Sequence, residues 1–152
     1  MDQDRGIFDE TKRELAERDA IESRLSALQN ELLSLQEQIN AVNDYDTMAG
    51  ACATSWTHVR GVDLVHHELL THEGERSGIL TPDPSEVTRE CLTGAYAQVK
   101  RAMTEEHDVE IGKRRLHMAA GLARQALEAL DAQFDALRKD ERDRWGRSPE
   151  YR

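Results

Sequence analysis

The chain has 152 residues and a net charge of −10, with 38% apolar and 33% charged residues, three prolines and seven aromatic side chains. That length suits one domain with a modest core, and the charge-rich, aromatic-poor balance suits elongated helices. Acidity excludes a bulk nucleic-acid binder, and no apolar run approaches the roughly 18–20 residues that span a bilayer, so direct nucleic-acid binding and membrane insertion are not expected. The start Met1-Asp2-Gln3-Asp4 does not read as a secretory signal. The expectation is a soluble, cytoplasmic protein.

Residues 1–46 read as an acidic coiled-coil helix. Residues 1–47 hold 12 acids against five bases. The helix is expected to begin near Asp9, whose side chain can cap the first turn, with Phe8 stapling its entry. Ile21, Leu25, Leu28, Leu32, Leu35, Ile39 and Val42 then follow at gaps of 4, 3, 4, 3, 4 and 3. A repeat averaging 3.5 residues keeps one apolar seam facing a partner helix. Backward from Ile21 the same positions hold Arg18, Glu14 and Thr11, so the dry seam begins at Ile21.

The run Asn43-Asp44-Tyr45-Asp46-Thr47 competes for backbone hydrogen bonds and marks a break. A second helix is expected over 47–73, with small residues from Met48 to Ser55, then Trp56, Val59, Val62, His66 and Leu69 on one face. A strand over 56–65 is the minor alternative, because the β-branched residues there alternate poorly. Gly74 ends the helix, 74–83 is a loop, and Asp83-Pro84-Ser85-Glu86 is a helix start with Asp at the N-cap and Pro at the first position.

One long helix is expected over 84–143, with a break near 104–108 as the alternative and a frayed tail over 144–152. Leu92, Ala95, Val99 and Ala102 keep one heptad phase through Glu106, Val109 and Lys113 to Leu116, Ala120, Ala123, Leu127, Leu130, Phe134 and Leu137. The fold class is therefore all-α. It is either a long antiparallel helical hairpin turning at 74–83 or a three- to four-helix bundle, with coiled-coil seams in both. Cys52 and Cys91 lack metal-ligand spacing and read as small buried hydrophobes.

Candidate chemistry centres on His58, His66, His67 and His72, interleaved with Asp63, Glu68 and Glu73. On a helix Asp63 faces His67 and Glu68 faces His72 at i, i+4, a spacing that can hold zinc or iron. Only Asp63-x-x-His66 approaches the pattern of a di-iron bundle, which needs two Glu-x-x-His pairs. These five residues, Asp63, His66, His67, Glu68 and His72, are weak metal candidates, and no cofactor is indicated. No nucleophile elbow or phosphate loop occurs. Lys113-Arg114-Arg115 is the one basic cluster inside a helix. It reads as a solvated patch or as a docking point for the acidic arm of a second copy.

The expected function is that of a non-catalytic helical interaction protein: a scaffold, adaptor or regulator that binds another protein and self-associates. Its contacts would be the seam from Ile21 to Val42 and a second seam of Leu116, Leu127, Leu130, Phe134 and Leu137. The alternative is an acidic inhibitor of the anti-defence type, occupying the nucleic-acid-binding surface of a target. A metal-binding helical bundle using the His58–His72 patch is the third reading. Heptad seams and acidic helices are common to many unrelated proteins and point to no one family.

Overall fold

A computed structural model describes the backbone of residues 2–73, 84–104 and 107–146. Four helices follow in order: α1 Asp2–Asn40, α2 Tyr45–Glu73, α3 Pro84–Thr104 and α4 Val109–Gly146. The all-α expectation holds, and of its two forms the four-helix bundle is the one adopted. The expected loop at 74–83 and the residues 147–152 lie outside the described residues.

Sequential neighbours run antiparallel. Arg24 of α1 pairs with Glu68 of α2, while Gln38 at the other end of α1 lies beside Gly50. His66 meets Ser85 and Trp56 meets Tyr96 between α2 and α3. Cys91 meets Gln125 and Gln98 meets Arg115 between α3 and α4. The ring closes where Gln29 meets Asp131 and Glu22 meets Arg138, between α1 and α4.

The cross-section is a rhombus. α2 and α4 pack in parallel across the short diagonal, whereas α1 and α3 barely touch. Small buried side chains permit that approach: Ala51, Cys52 and Ser55 on α2, and Ala119, Ala120, Ala123 and Ala126 on α4. Gly112 is the tightest point, since a Cβ there would overlap the sulfur of Met48.

All seven seam residues from Ile21 to Val42, six on α1 and Val42 just past its end, are buried, as are Leu116, Leu127, Leu130, Phe134 and Leu137 of α4. Leu32 and Leu127 line one depression together with Leu33 and Arg124, so the α1 seam lies against α4 of the same chain. Burial begins at Ile21, while Leu15 is 44% exposed, as the polar residues upstream of Ile21 lead one to expect. Extending the registers of the Arg24–Glu68 and Glu22–Arg138 pairs leaves roughly the first dozen residues of α1 beyond the ends of the other described helices.

Both breaks have local causes. At the first, Asp44 caps α2: its Oδ1 accepts from Thr47 N at 2.7 Å, while Thr47 Oγ1 accepts from the backbone nitrogens of Asn43 and Asp44 at 3.0 and 3.1 Å. This reciprocal capping box satisfies donors that the helix itself cannot. At the second, Asp108 Oδ1 accepts from Glu110 N at 2.8 Å and starts α4.

Three expectations are corrected here. α1 begins at Asp2 rather than near Asp9, because Asp2 and Asp4 already favour the positive end of the helix dipole and no proline intervenes. The continuous helix over 84–143 is two helices. Its unbroken phase came from the spacing of seven residues between Ala102 and Val109, which straddles a reversal of direction. The true core position is the buried Gly112, not Lys113. Finally, α4 continues to Gly146, so the first three residues of the expected tail are helical.

Candidate protein-interaction site

The histidine patch is divided among separate tasks. His58 is 3% exposed, and its Nε2 donates to the Leu28 carbonyl oxygen of α1 at 2.9 Å. His66 is equally buried and its Nε2 hydrogen-bonds with Ser85 Oγ at 2.9 Å. Burial is the largest influence lowering its pKa from the ordinary 6.5, and neighbouring His67 acts in the same direction.

His67 is exposed, with Nε2 3.5 Å from Asp63 Oδ1, as the i, i+4 spacing implies. Asp63 also accepts from the Tyr96 hydroxyl at 3.3 Å. Burial first, and this carboxylate second, push the Tyr96 pKa up to about 12. Glu68 is held by Arg24, and the His72 side chain lies outside the described residues. Among the described residues no three His, Cys, Asp or Glu side chains converge as ion ligands.

The basic cluster is divided as well. Lys113 Nζ donates to the carbonyl oxygens of Asn40 at 2.9 Å and Val42 at 3.3 Å, completing the end of α1. Arg115 reaches Gln98 on α3 at 3.3 Å, whereas Arg114 is exposed. Cys52 and Cys91 are buried free thiols whose pKa values are raised, chiefly by burial.

Two outer features remain: sequence reasoning missed the first, and of the second it saw the basic cluster Lys113-Arg114-Arg115 but not the apolar residues beside it. The first is a shallow groove of about 590 Å³ between α1 and α2, walled by Asn30, Glu31, Ser34 and Gln38 on one side and Ala53, Thr54 and Thr57 on the other. Asn30 also borders a second depression with Asp19, Glu22, Ser23, Ser26 and Ala27. The two form one trough along α1, from Asp19 to Gln38, about 28 Å long at 1.5 Å per residue. Among the described residues its lining contains three acids, of which Glu22 reaches Arg138 of α4, and no lysine or arginine.

The trough lies on the acidic half of the molecule. Residues 2–73 carry 15 acids and six bases, whereas α3 and α4 together carry nine acids and 11 bases. Sequence showed the acidic excess of the first 47 residues. It could not show that α2 would lie beside them and place the excess on one side of the fold.

The second feature is the outer face of α4. Residues 111–127 include no acid and four bases, Lys113, Arg114, Arg115 and Arg124. Ile111 and Met118, 41% and 55% exposed, flank Arg114 on this face. Their i, i+7 spacing was the available signal, but it lies outside the seam phase on which the heptad reading rested.

The architecture defines an antiparallel four-helix bundle with a polarised surface. No helix among the described residues is long and apolar enough to cross a membrane. Comparison with protein-family models, with curated proteins and with solved structures finds no match, so the functional argument rests on the chain's own geometry.

Proposed function

We propose that this chain is a non-catalytic helical interaction protein whose α1–α2 trough receives a basic segment of another polypeptide. The observation that carries this reading is the trough's acidic lining of Asp19 and Glu31 with no cation among the described lining residues, on the half of the fold with the acidic excess; the third acid, Glu22, reaches Arg138 of α4. The seams first expected to meet a partner are covered from within the chain, leaving outer faces for contact. A negative field speeds encounter with a basic partner and repels polyanions, and its reach falls with salt. The trough is long enough for about five turns of helix.

A fluorescent lysine-rich amphipathic peptide of about 20 residues tests this by anisotropy titration. Binding should weaken with salt. Asp19→Lys with Glu31→Lys should weaken it roughly tenfold, from about 1.4 kcal/mol of lost and reversed exposed charge pairs. Reversing Glu86 and Glu128, exposed on α3 and α4, changes the net charge equally and should have much less effect. Equal losses from both double variants would reduce the trough to bulk charge and refute the site.

The second reading makes the target a nucleic-acid-binding protein and this chain its inhibitor. The one-sided placement of the acids favours it. Competition between this chain and duplex DNA for such a target separates it from the general adaptor reading.

A further inference from the structure

We propose that the basic segment received by the trough is the outer face of α4 of a second copy, so that the bundles assemble head to tail. The inference rests on the trough reading above and names its occupant.

Three observations support the pairing. The α4 face has the complementary charge, because no acid falls between Ile111 and Leu127 while Arg114 is exposed at its centre. It also has apolar contact groups in Ile111 and Met118, both outside the bundle's own core. Finally, it fits in length: Ile111 to Gln125 extends about 21 Å, within the trough's roughly 28 Å. The small side chains lining the trough, Ser23, Ala27 and Ser34 among them, leave room for a helix to approach.

The two faces lie on opposite sides of the fold. The Asn30–Gln38 stretch of the trough lies between α1 and α2 and its Asp19–Ala27 stretch lies on α1, whereas Arg115 and Leu122 direct the α4 face toward α3. A contact between opposite sides is heterologous, and each copy added leaves one trough and one α4 face open. Repulsion between two chains of net charge −10 opposes this at low ionic strength. At physiological salt it is screened beyond about 8 Å, while charges in contact still attract.

Sedimentation velocity from roughly micromolar to millimolar protein tests the proposal with three forms of the full chain. The wild type should grow beyond a dimer with concentration and should disperse in molar salt. Arg114→Glu with Met118→Glu should be monomeric, and so should Asp19→Asn with Glu31→Gln. All four positions are exposed, so thermal melting should not change and unfolding would not explain a loss of assembly.

An equal mixture of the two double variants should stop at a 1:1 dimer, because only one competent pair of faces remains. A wild type that stays monomeric overturns the inference. If it still binds the lysine-rich peptide, the trough reading survives, and if it does not, both fall. Growth that stops at a dimer, or that persists in the Asp19→Asn, Glu31→Gln variant, also overturns it. So does a monomeric wild type that binds anionic vesicles through Arg114, because the stripe would then serve a lipid surface.

Discussion

Replacing Gln133 with Met should stabilise the protein, although Gln133 is among the most deeply buried residues of α4. It is 1% exposed, and neither its Nε2 nor its Oε1 has a hydrogen-bond partner among the described residues. A buried amide group left without a partner costs about 1–3 kcal/mol. Methionine retains the unbranched length and nearly the volume while removing both polar atoms, so little repacking is required. Allowing for imperfect packing, the expected gain is about 1–3 kcal/mol. For a chain of this size that raises Tm by roughly 3–10 °C. Urea unfolding followed by circular dichroism should show a higher midpoint with an unchanged slope. Leu130→Ala, three residues earlier and fully buried, should lose about 2–5 kcal/mol and confirms that the assay reads this layer. Equal or lower stability for Gln133→Met would mean that the amide is satisfied and would refute the reasoning.

Stability should fall as pH drops below about 6.5. The folded-state pKa of His66 lies below its unfolded value, so the unfolded chain binds the extra proton first, at up to about 1.4 kcal/mol per pH unit until the folded pKa is reached. His66→Gln should flatten stability measured between pH 6.5 and 5.5, and an unchanged slope would assign that loss to other groups. Asp44→Ala should remove the capping box and destabilise the α1–α2 turn, with faster amide exchange at Asp46 and Thr47 as the readout. Asp44 has its pKa lowered, first by Thr47's backbone amide, so its contribution is full above the ordinary 3.8 and is lost as pH falls from there through the folded-state value. Gly112→Ala should lower Tm despite alanine's better helix propensity, because the added methyl must displace the buried Met48.

Elements written in local periodicity were legible. The 4-3 spacing from Ile21 to Val42 correctly marked a face that needs covering, and Asn43–Thr47 correctly marked a break. The reversal between α3 and α4 was harder to see. Phase continuity is one-dimensional and does not register a reversal, so Ala102 and Val109 looked like successive positions of one seam. The discordant signs were the charged Glu106 and Lys113 at seam positions and Asp108 two residues before Glu110, with the geometry of an N-cap. Periodicity likewise ended with a seam that needs a partner. Only the topology, with Leu32 and Leu127 lining one depression, shows that the chain supplies the cover itself.

Once the seams are internal, charge rather than the heptads distinguishes the outer faces. A heptad seam can pair with many helices, whereas a polarised surface selects by sign. The trough and the α4 face arise from segments about 90 residues apart, which the ring of four helices sets on opposite sides of the fold. Each is weak as a sequence signal: three acids among serines and alanines in one, and two apolar residues around an arginine in the other. Their meaning comes from position. The same acids facing Arg114 would cancel it within the molecule. Kept on separate faces, they leave one surface able to attract what the opposite surface presents.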